Sequence, residues 1–265
     1  MRPGRNRQAG TSRARGSRVL LGAVTTALVL AVPQQAASAA SPDPSGVEVD
    51  LGEAAWGVDL ADGAALVDPA GGSAVLRTTD RPQPQVGTSV VDGTRGLRLG
   101  WVCRVSLWSC GRALVELDGS RALNPGAGDF RVSAEVALEP WQTSDGSNVL
   151  QKGWNQGGAG QYKLQVDGLA GRPSCVVVGT GETTSYRVKG SSSVADGEWH
   201  ELACQRVGDE LRLLVDGAVE GRTSLPPDLS VDNDSVVRVG AKGLGGYDVD
   251  QFYGRLGRVS VDMAG

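Results

Sequence analysis

Two acid-rich stretches, Asp232-Asn233-Asp234 and Asp248-Val249-Asp250, flank the apolar run Val236–Gly240 and space their side-chain oxygens by two residues. Loops of that kind suit calcium, which takes about six to eight oxygen ligands, and Asp118 can add another. Asp and Asn are also ordinary turn formers, so the pattern admits both uses. A second chemistry is carried by Lys152-Gly153-Trp154-Asn155-Gln156-Gly157-Gly158. A tryptophan in a polar, glycine-rich loop has little core to pack on. Sugar rings stack on exposed aromatic faces, and Lys152, Asn155 and Gln156 can serve their hydroxyls. Tyr247 is a further aromatic candidate in a chain with only 6 Trp, 4 Tyr and 2 Phe; Trp141, Tyr162, Phe252 and Tyr253 also lie in or beside loops.

Nucleophilic catalysis has little to work with. His200 is the single histidine, so any Ser/His/Asp or Cys/His mechanism must use it. It follows Trp199 at the start of a strand, where a packed or capped side chain is the simpler account. No G-x-S-x-G elbow, P-loop or dinucleotide-binding glycine motif occurs. The glycines at Gly157–Gly160 and Gly243–Gly246 read as loop tips. No catalytic residue is assigned.

The elements that must position these groups are strands. In Asp196–Gly217, Trp199, Glu201, Ala203 and Gln205 fall on one face and His200, Leu202, Cys204 and Arg206 on the other, the period of two that a strand imposes. Leu211, Leu213 and Val215 alternate with Glu210, Arg212 and Asp216 after the connection Val207-Gly208-Asp209, which makes a hairpin. Asp-Gly pairs at 118, 145, 167, 196 and 216 punctuate Val- and Leu-rich runs. Strands are expected at Ala54–Asp59, Ala74–Thr78, Arg112–Leu117, Phe130–Leu138, Asn148–Lys152, Gln161–Val166, Cys175–Val178, Ser185–Val188, Trp199–Arg206, Glu210–Val215, Val236–Gly240 and Phe252–Asp262. No helical period is sustained. Many strands at short spacing predict an all-β, antiparallel sandwich or jelly roll.

The first 39 residues read as an address. Six arginines without an acid precede the apolar run Val19–Val32 and the small-residue site Ala37-Ser38-Ala39, the order of a secretory signal peptide. The apolar run is shorter than the ~20 residues a spanning helix needs, so no membrane span is expected in the mature chain. Of 26 basic and 30 acidic residues, the leader takes six arginines, leaving 20 against 30, a net charge of −10. An acidic chain without a basic cluster is a poor ligand for nucleic acid or anionic membranes. The domain reading is signal peptide 1–39, linker and edge strands 40–111 with Pro-containing breaks at Ser41–Ser45 and Arg81–Gly87, and a sandwich over 112–265.

Four cysteines in an exported chain make two disulfides in one of three connectivities. Cys103–Cys110 with Cys175–Cys204 is the favoured pairing, the second tying the strand SCVVVG to the first arm of the hairpin. Zinc is disfavoured because neither C-x-x-C nor a second histidine exists.

The motifs LVELDG at Leu114–Gly119, DFRVSAEV at Asp129–Val136, VLQKG at Val149–Gly153, QYKLQV at Gln161–Val166, GEWHELAC at Gly197–Cys204, LRLLVDG at Leu211–Gly217, VRVGAKG at Val237–Gly243 and DQFYGRLGRVSV at Asp250–Val261 occur in the order typical of one family. The stretch from Arg112 to Asp262 resembles laminin-G-like, concanavalin A-like lectin/glucanase domains, of the cysteine-containing variety found in secreted actinobacterial proteins. The resemblance implies a jelly roll of two antiparallel sheets that often binds glycans or other extracellular macromolecules, sometimes with calcium at its rim. It also implies that His200 is structural, and that Tyr162 and Phe252 are core.

The same superfold carries glycoside hydrolases, whose retaining members hold two carboxylates ~5 Å apart, commonly as Glu-x-Asp-x-x-Glu on one strand. Glu48-Val49-Asp50-Leu51-Gly52-Glu53 has that spacing. It precedes the resembling region, whereas catalysis needs a central strand held on both sides, and Gly52 weakens a strand interior. The expectation is therefore a secreted, extracellular binding protein for carbohydrate. Hydrolysis by Glu48, Asp50 and Glu53 is the alternative, and a surface-protein partner without a sugar site is another.

Overall fold

The computed structural model describes residues 45–80, 82–103, 110–119, 121–245 and 250–264. The expected signal peptide, most of the Ser41–Ser45 linker, Tyr247 and Asp248 lie outside the described residues. In chain order the elements are β1 (Ser45–Asp50), a single helical turn α1 (Leu51–Ala54), β2 (Ala65–Val67), β3 (Ser73–Thr78), β4 (Gly87–Val91), β5 (Thr94–Arg98), β6 (Ala113–Leu117), β7 (Phe130–Ala137), β8 (Gly146–Gly153), β9 (Ala159–Asp167), β10 (Arg172–Thr180), β11 (Ser185–Lys189), β12 (Trp199–Val207), β13 (Glu210–Val215), β14 (Ala218–Ser224), β15 (Val237–Val239) and β16 (Arg255–Met263).

These strands make two antiparallel sheets. The front sheet runs β11-β10-β9-β8-β15-β6-β3-β2, and the back sheet runs β14-β13-β12-β7-β16-β5-β4. β16 is flanked along its length by β7; on its other side β5 covers only Arg255–Leu256 and β1 takes over from Arg258 to Met263. Strands from the segment before residue 112 thus extend both sheets, β2 and β3 beyond β6, and β1, β4 and β5 beyond β16.

The alternation in each strand decides what lies between the sheets. Phe130, Val132, Ala134 and Val136 of β7, Leu202 and Cys204 of β12 and Leu211 and Leu213 of β13 meet Tyr162, Leu164 and Val166 of β9 and Cys175 and Val177 of β10 in one core. Tyr162 is the largest side chain wholly enclosed; burial pushes its phenol pKa up, and its hydroxyl donates to the Leu123 carbonyl at 3.1 Å. Phe252 is equally enclosed. Both disulfides form in the favoured pairing, with Cα–Cα separations of 5.8 Å for Cys103–Cys110 and 5.4 Å for Cys175–Cys204. The second joins β10 to β12 and so staples the two sheets together.

Turn chemistry explains the hairpins of the back sheet. Asp92-Gly93 and Asp216-Gly217 carry φ of 48° and 81°, and of 50° and 76°, the doubly positive pair of a type I′ turn. On that sheet's outer face Trp199 lies over Gly96 and Gly257: an added Cβ at these glycines would come within 2.8 Å and 3.3 Å of its ring. Its indole N–H donates to the Val91 carbonyl at 3.2 Å.

Two expected strands differ from what forms. Ala54–Asp59 is not a strand, because the Asp50 carboxylate accepts from the Glu53 N–H at 3.1 Å, which starts a helical turn, and Gly57 then takes a φ of 77°. The last strand begins at Arg255 rather than Phe252; the Phe252 N–H instead donates to the Gly240 carbonyl at 2.8 Å. No helix among the described residues is long and apolar enough to cross a membrane.

Candidate binding groove

The outer face of the front sheet is polar yet closed off. On β9, Tyr162, Leu164 and Val166 turn into the core, which leaves Gln161, Lys163, Gln165 and Asp167 on the other side. Antiparallel register carries one row across four strands, Gln151 of β8 beside Lys163, Lys163 beside Val176 of β10, and Val176 beside Arg187 of β11. Gln151, Gln161, Lys163 and Gln165 are only 3 to 8 % exposed, so this face is the floor of a groove rather than an open surface. The groove has a volume of about 450 Å³, and its walls include Trp154, Asn155, Gln156, Ser185, Lys242 and Asp250.

The walls follow from the loops. The β8–β9 connection begins at Trp154, whose N–H donates to the Gly160 carbonyl at 3.1 Å, and its indole stands 39 % exposed. Cη2 of that ring is 3.9 Å from where a Cβ would sit at Gly243, and the Arg238 guanidinium is 5.7 Å from the ring centroid. Asp250 also lines the groove. Its φ of 48° is one that Asp tolerates better than most residues, and it turns the carboxylate toward Lys163 at 2.8 Å and Lys242 at 3.4 Å. Its own carbonyl accepts from the Asn148 N–H at 2.7 Å, which fixes the segment against β8.

At the far end of the floor Asp167 accepts from Gln165 at 2.6 Å and also from Ser174 and Arg187. Gln151 donates to the Gly153 carbonyl at 2.6 Å, and its Oε1 is buried with no hydrogen-bond partner among the described residues. The groove therefore presents amide groups, two ammonium ions, a guanidinium and carboxylates, with an indole at its edge. Such a surface can hydrogen-bond a polyhydroxylated molecule and stack on it.

Of the residues singled out from the sequence, Trp154, Asn155 and Gln156 line this groove, as does Asp250. Lys152 does not. A register shift between Asn148 and Leu150 puts it beside Tyr162, on the inner side, where its ammonium donates to the Asn233 carbonyl at 2.7 Å and Oδ1 at 3.1 Å. Burial draws its pKa down to about 8, against the pull of Asp232 and Asp234.

Of the acidic candidates that are described, three have side-chain partners of their own. Asp232 accepts from Asn124 at 2.6 Å, Asp234 pairs with Arg121 at 2.9 Å, Asp118 is exposed, and Asp250 faces the lysines of the groove. Among the described residues no group of three or more His, Cys, Asp or Glu side chains could hold a metal ion.

Glu48, Asp50 and Glu53 part in the same way. Glu48 is exposed on β1 with Arg258 3.8 Å away, Asp50 caps α1, and Glu53 pairs with Arg95 at 2.6 Å. Glu48 and Asp50 flank the buried Val49 on β1, but Glu53 sits on the helical turn, so the three carboxylates do not share one strand face. His200 is clamped by Asp216 at 2.8 Å and Asp196 at 3.1 Å. Burial disfavours its charged form, but these two carboxylates outweigh burial and raise its pKa above 6.5.

An all-antiparallel jelly roll with a polar groove on one sheet and loops of varied chemistry around it defines the class, a lectin-like β-sandwich. Residues 113–261 match the laminin G profile of the concanavalin A-like lectin/glucanases superfamily, and the chain belongs to that family. No curated protein sequence matches it. Among solved structures, domain 4 of AbnA, a GH43 extracellular arabinanase from Geobacillus stearothermophilus in complex with arabinotriose, is similar at 12 % identity and a TM-score of 0.51, over 72 % of this chain and 82 % of that one. The binding domain of Paraclostridial Mosquitocidal Protein 1 is similar at 12 % identity and a TM-score of 0.52, over 78 % of this chain and 48 % of that one. The binding domain of botulinum neurotoxin DC in complex with SialylT is similar at 10 % identity and a TM-score of 0.50, over 75 % of this chain and 45 % of that one.

Proposed function

We propose that the protein is an extracellular carbohydrate-binding module that holds a saccharide in the groove of the front sheet without hydrolysing it. The observation that carries this reading is an exposed indole, Trp154, standing beside a row of amide side chains, Gln151, Gln161, Gln165, Asn155 and Gln156, in the same groove. Sugar hydroxyls can bond the amide groups, and a sugar ring supplies an apolar face for the indole. Gln161, Gln165, Asn155 and Gln156 offer both donors and acceptors, and the Lys163–Asp250 pair can serve adjacent hydroxyls from either partner. The arginine-rich leader and the two disulfides support action outside the cell. The arabinanase domain solved with arabinotriose has a related fold.

The test is calorimetric titration of the oxidised protein with a panel of neutral and acidic oligosaccharides, arabinotriose included, in calcium and again in chelator. A binder is expected, with equal affinity in both buffers. Trp154→Ala and Gln151→Ala should each weaken it at least tenfold while leaving the thermal midpoint within a few degrees. Unchanged affinity in both variants would overturn the groove. Polymer hydrolysis that disappears in Glu48→Gln or Glu53→Gln would favour catalysis instead, and no binding anywhere in the panel would move the reading to a protein partner.

A further inference from the structure

Two facing arginines of the back sheet have no acid. Arg98 of β5 and Arg255 of β16 are direct Cα partners across the sheet, so their side chains leave from the same face side by side. Like charges so placed repel, and the usual remedy is a carboxylate. Arg77, Arg95, Arg121, Arg131, Arg187 and Arg212 each have one, at Glu116, Glu53, Asp234, Glu201, Asp167 and Glu210. Among the described residues Arg98 and Arg255 have none.

Their hydrogen bonds are also incomplete. Arg255 Nε donates to Ser89 Oγ at 2.8 Å, but its Nη1 and the Nε of Arg98 are buried with no partner. Burying part of a charged group without a partner is costly, and an anion that accepts from the remaining amino nitrogens, which are not enclosed, offsets that cost. Burial, then the neighbouring charge of Arg255, pulls the Arg98 pKa below its ordinary value, the direction that an absent counter-ion produces.

The surroundings favour one kind of anion carrier. The Arg98 guanidinium lies 3.9 Å from the ring centroid of Trp101, which remains 49 % exposed. One face of the guanidinium is thus taken by the indole, and its edge is left for an acceptor. Trp199 lies beside Arg255 on the same outer face, over Gly96. Two guanidinium edges match the fork of a carboxylate or sulfate, and indole rings beside them match the ring that carries it.

We infer that Arg98 and Arg255 form an oxyanion site for the carboxylate or sulfate group of an acidic saccharide, on the sheet opposite the groove. The site does not depend on the groove: either can be occupied without the other.

The experiment measures the thermal midpoint and, by calorimetry, the affinity of the full oxidised chain in three arms at matched ionic strength: sodium sulfate, a glucuronate-containing disaccharide, and the corresponding neutral disaccharide, each against sodium chloride. Sulfate and the acidic disaccharide should raise the midpoint with a saturable concentration dependence that the neutral sugar lacks. Arg98→Gln removes one of two facing charges. It should fold with an unchanged or higher midpoint in chloride and lose the sulfate and acidic-sugar responses at least tenfold in affinity; Arg255→Gln should lose them as well. Trp154→Ala should keep both. A sulfate response that is linear and equal in wild type and Arg98→Gln is general salt stabilisation and overturns the site. Saturable sulfate binding without the acidic disaccharide overturns the saccharide as the carrier.

Discussion

The ammonium of Lys163 stands 2.8 Å from the Asp250 carboxylate and joins the middle of β9 to the segment that leads into β16. Both side chains are mostly buried, at 11 % and 14 % exposure, so the Lys163 charge is poorly served by water if Asp250 is removed, whereas Asp250 keeps Lys242 at 3.4 Å if Lys163 is removed. Asp250→Asn should lower stability by about 2–4 kcal/mol and weaken saccharide binding. Asp250→Ala should cost a further ~1 kcal/mol, because alanine lacks the tolerance of Asp and Asn for a left-handed backbone. Urea midpoints of the three proteins check this, and an unchanged midpoint in Asp250→Asn would show that the pair contributes nothing.

His200 should make stability fall with rising pH. Its pKa is raised in the folded state by Asp216 and Asp196, whose effect exceeds that of burial, so the folded protein holds the proton more tightly than the unfolded chain. The stabilisation is complete below pH 6.5 and is lost as pH climbs through the folded pKa. Between pH 5.5 and 8.5 the thermal midpoint of the wild type should decline relative to that of His200→Gln. Parallel profiles would remove the imidazole from the account. The range quoted brackets about one unit below and two above the ordinary histidine value.

Lys152 should act in the opposite sense. Burial lowers its pKa from 10.5 to about 8, so the unfolded chain binds more protons between those values and stability rises with pH across that window. The gain relative to Lys152→Met should reach ~1–3 kcal/mol by its upper end. Chemical denaturation of both proteins at pH 7.5 and 10 tests the sign (a span of about two and a half units).

The inter-sheet disulfide should outweigh the local one. Cys175–Cys204 closes a separation of 29 residues and Cys103–Cys110 one of 7. Loop-closure entropy then assigns about 3–4 kcal/mol to the first and ~2 kcal/mol to the second. Cys175→Ala/Cys204→Ala and Cys103→Ala/Cys110→Ala, compared by urea unfolding, give the order; a larger loss from the second pair would reverse it.

The hairpin β12–β13 and strand β7 were legible because each buries one face only, so Leu202 and Cys204, Leu211 and Leu213, and Val132 and Val136 recur at every second position. Strands β2, β4 and β5 were not. β4 reads Gly-Thr-Ser-Val-Val, without alternation, and forms because β5 lies beside it, a tertiary cause. The pattern of β9 was equally visible, but Gln161, Lys163, Gln165 and Asp167 look like any solvated sheet face. What makes them a floor is a roof supplied by Trp154 and Asp250, the latter far along the chain. Their amide-rich composition was the one local hint. Lys152 misled for a related reason, since a bulge earlier in β8 changes which side of the sheet it meets.

The place of β16 separates the order of synthesis from the order of assembly. β1 and β5 are made early, yet their shared neighbour in the back sheet is residues 255–263, made much later, and β4 reaches that sheet only through β5. Until those residues emerge from the ribosome, β7 lacks the partner on one side and the N-terminal strands have nothing to lean on there. Closure of the back sheet is therefore a late event built on contacts distant in sequence, the arrangement that makes all-β chains slow folders. A nascent chain of this design keeps its back sheet open until residues 255–263 have been made.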